Sequence, residues 1–360
     1  MRSVYIHMPF CSSICSYCDF CKLLYTSSWV DEYLNELEKE INEFYDKDIL
    51  KSIYIGGGTP SSLNINELTK LFQIIKIFQM DKRYEFTFEM NINDINEEKL
   101  QLLKSNGVNR LSIGVESFND INLKYMNRKH NKNSIFTNIN IAKKYFDNIN
   151  VDIIFALPCE TFSVFKKDVK EILKLEVQHI SSYSLIIEPN TVLHNNGVKS
   201  IDEEVDYQMY EYLCKKLKKH GYEHYEVSNF SLHGYESIHN KTYWLNEEYY
   251  GFGLGAHGFI GGLRYENTRS FNKYLSSEYR LNEVFLSKKE DMENEIMLGL
   301  RLLNGINIVN FFNKYNVNIQ DEFNILPMLK KGMLILKDNY LFIPENKIYI
   351  MNEILNTIIK

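Results

Sequence analysis

Four of the chain's six cysteines fall within eleven residues, Cys11, Cys15, Cys18 and Cys21, while Cys159 and Cys214 stand alone. Neighbouring cysteines this close make poor, strained disulfides, so a cluster of them in a large protein points to metal. The first three are spaced C-x3-C-x2-C in the run Tyr5-Ile-His-Met-Pro-Phe-Cys11-Ser-Ser-Ile-Cys15-Ser-Tyr-Cys18. A loop with thiolates at these spacings can wrap three corners of a [4Fe-4S] cubane and leave its fourth iron without a protein ligand. A metal site short of one protein ligand is where a small molecule enters. Two other readings stay open, a tetrathiolate zinc site that also uses Cys21 and a closed ferredoxin-like cluster, although the bacterial ferredoxin spacing is different. Cys21 could cap the open iron; we read it as a non-ligand. Cys159 and Cys214 read as buried thiols that behave as small apolar side chains.

Such a loop has to be held by a scaffold. From the N-terminus to about residue 190, short β-rich runs alternate with amphipathic helical stretches, which predicts parallel strands joined by crossover helices. Strands are expected at Val4–His7, Ser52–Ile55, Glu85–Glu89, Arg110–Ile113, Val151–Phe155 and His179–Ser184, forming a (β/α)6 partial barrel of the α/β class. Polar or Gly-rich segments follow nearly every strand, at the barrel end where chemistry is assembled. Gly56-Gly57-Gly58-Thr59-Pro60 is one: its backbone can approach a ligand closely, and its N–H groups suit a carboxylate or amine-bearing molecule. Glu89 and Glu116 are acids at the same end, either of which could be only a solvated loop charge; Arg128 and Asp152 are similar cases, and the charge of Asp152 at the start of an otherwise apolar strand calls for a partner if buried.

The division expected is a barrel over 1–190, a ligand-facing extension over 191–284 and a small, mainly helical C-terminal domain of winged-helix type over 285–360, with a hairpin around Asp338-Asn339. The formal charge of −6 supplies no basic field for nucleic acid. No apolar run reaches the roughly 20 residues of a bilayer span, so no transmembrane segment is expected and the cytoplasm is the default address. The 25 Tyr and 22 Phe would suit a large flat ligand, but they equally follow the chain's Asn/Lys/Ile bias.

The cysteine motif after a first strand resembles the radical S-adenosylmethionine superfamily. Over nearly the whole chain the sequence is similar to the HemN/HemW family, coproporphyrinogen III dehydrogenases and heme chaperones. The resemblance rests on Tyr5–Cys11, Gly56–Pro60, Arg110–Phe118, Val151–Pro158, Tyr225–Asn229, His239–Trp244 and Gly253–Gly258. It implies an S-adenosylmethionine site lined by Tyr5, Tyr17, Gly57, Gly58, Thr59, Glu89, Glu116, Arg128 and Asp152, with a reducing partner such as flavodoxin or ferredoxin. Two turns depart from the family pattern, Asn91-Ile92 for Asn-Pro and Ala156-Leu-Pro158 for Gly-Leu-Pro.

Within the family, three features resemble the chaperone branch. Phe20 stands where the dehydrogenases carry a fourth cysteine, only ten residues precede Cys11, and His239-Asn-Lys-Thr-Tyr-Trp244 looks like the branch's H-N-x-x-Y-W signature. The resemblance implies heme binding and transfer to an acceptor protein, the alternative being oxidative decarboxylation of coproporphyrinogen III. An imidazole at His239 can ligate heme iron while Tyr243 and Trp244 lie against a porphyrin face. Equally, His239 can be a hydrogen-bonded histidine that fixes the Gly-rich loop after it. Cys21 is also an available heme ligand; His7, His224 and His257 read as supporting or structural.

Overall fold

The computed structural model describes residues 1–158 and 160–359. Cys159 therefore lies outside the described residues. Six parallel strands appear where expected: β1 (Arg2–Met8), β2 (Ile49–Gly57), β3 (Gln79–Asn91), β4 (Arg110–Glu116), β5 (Ile149–Phe155) and β6 (His179–Ser184), neighbours in that order. Between them run α1 (Ser27–Phe44), α2 (Ile65–Ile75), α3 (Glu97–Ser105), α4 (Asp120–Tyr125), α5 (Lys132–Ala142) and α6 (Phe162–Leu173). The strands alternate between two environments: in β4, Leu111, Ile113 and Val115 are buried in the core, while Arg110, Ser112, Gly114 and Glu116 line the cavity. Helix α2 shows how locally the sequence specifies its elements. Asn64 accepts from the Glu67 backbone N–H while the Glu67 carboxylate returns to the Asn64 N–H, and Leu68, Leu71, Phe72 and Ile75 form the buried stripe.

The segment after β6 extends the sheet at both of its edges. Helix α7 (Glu203–Lys219) leads into the hairpin β7 (Glu223–Glu226) and β8 (Asn229–Ser231), and β8 pairs antiparallel with β6. The chain then turns through α8 (Ile238–Trp244) to the opposite edge, where β9 (Tyr249–Phe252) lies parallel to β1. Strands β10 (His257–Ile260), β11 (Leu263–Asn267) and β12 (Arg280–Phe285) continue antiparallel from β9, so one sheet holds twelve strands. These late strands escape period-two reading because they are three to six residues long and rich in Gly, Tyr and Asn.

Beyond Phe285, helices including Lys288–Gly299, Ile308–Tyr315 and Met351–Ile358 pack with a three-stranded sheet, as a helix-and-wing domain does. Its wing turns at Asp338 and Asn339, both at positive φ (51° and 65°), the backbone of a tight hairpin turn.

Candidate functional site

The cysteine loop is closed at its base. Phe10–Cys11 pairs in parallel with Leu23–Leu24, with Leu23 N–H on the Pro9 carbonyl at 2.7 Å and Tyr25 N–H on that of Cys11 at 2.9 Å. Its middle is tied to the exit of α4: Ser16 N–H donates to the Met126 carbonyl (3.2 Å), Ser16 Oγ to that of Tyr125 (2.8 Å) and Asn127 Nδ2 to that of Ile14 (2.7 Å). The Gly-rich exit of β2 lies directly under the loop. Gly58 N–H reaches the Met8 carbonyl and Thr59 N–H that of Phe10, both at 2.8 Å. A Cβ on Gly58 would stand 2.6 Å from the Pro9 carbonyl carbon, and Gly57 holds φ +108°, so both positions require glycine.

Cys11, Cys15 and Cys18 border one cavity of about 450 Å³, which also takes in Tyr17, Gly57, Gly58, Thr59, Glu89, Glu116, Arg128 and Asp152. Thr59 Oγ1 donates to Cys11 Sγ at 3.6 Å, and Arg128 Nη1 to Cys15 Sγ at 3.4 Å. Cys21 is not part of this lining; it faces Gly255, where an added Cβ would sit 2.8 Å from its own. Tyr5 is likewise outside the lining. Its hydroxyl meets His7 Nδ1 at 3.0 Å, and its ring packs beside Tyr54 and His239.

Three carboxyl groups converge on the cavity wall. Glu89 accepts from Tyr54 Oη (2.6 Å) and Gly57 N–H (3.0 Å), and burial pushes it up to about 7. Burial likewise pushes Glu116 up to about 7 against the opposing pull of Arg128, whose Nη2 lies 3.4 Å away and donates to the Gly114 carbonyl at 2.7 Å. Glu116 is held at φ +65°, a strained conformation for a residue with a Cβ and one that clusters at functional sites. Burial also raises Asp152, which accepts from Asn150 Nδ2 (2.8 Å) and Ser112 Oγ (3.3 Å).

This donor set fits both cofactors. Three sulfurs at one cavity edge, with the fourth turned away, suit a cubane with one open iron. The convergent acids and the buried Arg128 guanidinium suit a small zwitterionic ligand beside it. No helix among the described residues is long and apolar enough to cross a membrane.

Comparison with known proteins agrees. The Radical SAM superfamily model matches residues 5–172, and the HemN C-terminal domain model matches 286–346. The heme chaperone HemW of Lactococcus lactis is 42% identical over 89% of this chain and 86% of its own length. That of Bacillus subtilis is 39% identical over 98% of both chains. The chain belongs to the HemW family of the radical SAM superfamily. The structure of coproporphyrinogen III oxidase (HemN) from Escherichia coli superposes with a TM-score of 0.88 over 99% of this chain and 89% of that one, at 20% identity, a shared fold.

Against this HemW-family frame, the His239 tract lies differently from an open porphyrin surface. Helix α8 crosses the strand-entry end of the barrel, its N-terminal amides and Ser237 Oγ held by the Glu85 carboxylate at 2.9–3.1 Å. His239 is buried; Nδ1 meets Ser52 Oγ at 2.9 Å and Nε2 meets Tyr243 Oη at 2.8 Å. Because Ser52 donates onward to Ser3, the chain of bonds assigns the imidazole proton to Nδ1, and burial lowers the ring to about 3. Tyr243 packs edge-on against Tyr249, and Arg301 lies 5.7 Å over the Trp244 ring. Neither imidazole nitrogen is free for iron in this arrangement, which matches the hydrogen-bonded alternative. His7 supports the cysteine loop, Nε2 meeting the Cys21 carbonyl at 2.7 Å, and His224 stacks on Phe230. Cys214 packs against the core, and burial pushes its thiol up to about 12.

The sequence reading passed over Arg110, which is almost completely buried at the cavity floor. Its Nη1 is 3.4 Å from Thr87 Oγ1, and its Nε has no hydrogen-bond partner among the described residues. The rule that flagged Asp152, a charge in an apolar strand, would have flagged it too. The two family departures also resolve. Ala156 adopts φ +60°, the backbone that glycine takes without strain, and Asn91 ties the turn to Thr59 Oγ1 (3.3 Å) and Ser61 Oγ (3.0 Å).

Proposed function

We propose that this chain is a heme chaperone of the HemW type: it binds heme and passes it to an acceptor protein, with a [4Fe-4S] cluster on Cys11, Cys15 and Cys18 and S-adenosylmethionine in the adjoining cavity. The observation that carries the reading is the placement of those three cysteines on one cavity with Glu89, Glu116, Arg128 and Asp152, in a chain that matches HemW heme chaperones over most of its length. When bound, a cluster with an open iron supplies one electron to S-adenosylmethionine. The chain's own residues bind and orient. Glu89, held by Tyr54 Oη and Gly57 N–H, offers its carboxyl group to the methionine amino end, Arg128 fixes Glu116 and braces Cys15, and Tyr17, Gly58 and Thr59 fill the wall between them. Asp152, held by Asn150 and Ser112, would take a hydroxyl or amine deeper in the barrel. Tyr5 would act through His7 rather than by direct contact. A flavodoxin or ferredoxin is the proposed electron source and the cytoplasm the proposed compartment, since such thiols persist in a reducing one.

The test uses anaerobically reconstituted full-length protein. Hemin should bind and pass to an apo-hemoprotein acceptor, and coproporphyrinogen III should be recovered intact. Formation of protoporphyrinogen would overturn this reading in favour of the oxygen-independent dehydrogenase.

A further inference from the structure

Around the cavity mouth the chain exposes apolar side chains that contribute nothing to its core. Phe20, in the cysteine loop, is 63% exposed; Tyr183, near the end of β6, is 42% exposed, and Ile186 just beyond it is 68% exposed. All three line the cavity, Tyr183 on the inner face of its strand beside Asp152 and Glu89. Large side chains grouped in this way around a functional cleft mark a binding surface rather than scattered surface apolarity. Two ammonium groups stand on the same rim. Lys22 donates to the carbonyls of Cys18 (2.5 Å) and Phe20 (3.3 Å), and Lys129 follows Arg128; among the described residues neither forms an ion pair. The rim is therefore an apolar face edged by two ammonium groups without an ion-pair partner among the described residues. The occupant it matches is a flat apolar disc carrying carboxylates. At the opposite end of the barrel, the His239 tract offers no comparable surface: its histidine is buried and both ring nitrogens are bonded.

We propose that heme docks on the barrel mouth, its macrocycle against Phe20, Tyr183 and Ile186 and its propionates on Lys22 and Lys129, and not on the His239 tract. This rests on the heme-chaperone reading above. It places heme above the S-adenosylmethionine cavity, so the macrocycle covers the opening through which the smaller ligand enters.

The experiment is a hemin titration of the full-length reconstituted protein followed by absorption, repeated with hemin dimethyl ester, whose propionates are neutral. Phe20→Asp/Ile186→Asp should weaken hemin uptake by about tenfold or more, because two apolar contacts become charged ones facing an apolar ring. Lys129→Gln, an exposed change, should weaken hemin about threefold to tenfold and leave the ester unaffected, removing the wild-type preference for the free acid. Equal hemin affinity in the double variant, or an undiminished acid-over-ester preference in Lys129→Gln, would overturn the docking site; the apolar rim would then be assigned to a protein partner. Should the double variant fold poorly, the Lys129→Gln comparison decides alone. If the wild type takes up no hemin, the chaperone reading itself fails, a result distinct from either.

Discussion

The two ends of the barrel use the same residue types to opposite effect. At the strand-entry end, Ser3, Ser52, Thr242, His239, Tyr243 and Glu85 form a closed set in which each polar group meets another of the chain at 2.8–3.1 Å. At the strand-exit end, Glu89, Glu116 and Asp152 are buried beside a cavity with their ionisation suppressed, Glu116 sits on strained backbone, and apolar side chains stand in the open. A buried polar group that is paired internally stabilises a fold, whereas one left facing a cavity is held ready for a ligand. The type of a residue does not tell which of these it is; its partners do.

The contrast is broken most forcefully at the mouth. Arg128→Met removes the buried partner of Glu116 and the contact with Cys15. It should cost about 3–5 kcal/mol of stability and abolish measurable S-adenosylmethionine binding, read by chemical denaturation and equilibrium dialysis. At the floor, His239→Ala empties a packed site and orphans two hydroxyls. We expect a loss of about 2–4 kcal/mol with hemin uptake and iron content retained; loss of hemin uptake from a folded variant would equate the two ends after all.

Burial raises a carboxyl group away from the cavity as well. Glu160 accepts from Asn122 Nδ2 at 3.1 Å with Asp168 nearby, and burial pushes it up to about 8. A carboxyl raised in the folded state binds its proton more tightly there than when unfolded. Its stabilising contribution is therefore full below the unfolded value of about 4.5 and lost as pH rises through about 8. Glu160→Gln should accordingly flatten the decline in stability between pH 5 and 8, on the order of 2 kcal/mol, as read by melts across that range. The smallest effect is expected at Ala156, where glycine would relieve positive φ but add unfolded-state freedom. Ala156→Gly should gain about 0.5 kcal/mol, and a loss above that size would show that its buried methyl group outweighs the backbone strain.

Much of this was legible in the chain itself. The six parallel strands follow from short β-rich runs and the helices between them from apolar residues at three- and four-residue spacing, as in α3 and α6. The wing turn at Asp338-Asn339 is announced by two residues that tolerate positive φ. The cysteine loop is legible because three thiols at fixed spacing have few other uses. Illegible were relations between distant segments. Nothing local says that Ser52 receives His239, that Glu85 caps α8, or that Tyr249–Phe252 joins β1 as a further parallel strand. His239 carried a family signature and a ligating side chain, yet its surroundings lie 187 residues away in sequence at Ser52.

Three sulfurs face the cavity and a fourth faces away, the arrangement that leaves one iron of a cubane open. Iron and sulfide content and S-adenosylmethionine affinity, measured on anaerobically reconstituted Cys11→Ala, Cys15→Ala, Cys18→Ala and Cys21→Ala, test it directly. Each of the first three should lose both cluster and ligand, and Cys21→Ala should keep both; a cluster that survives loss of any of the three, or fails without Cys21, would contradict it.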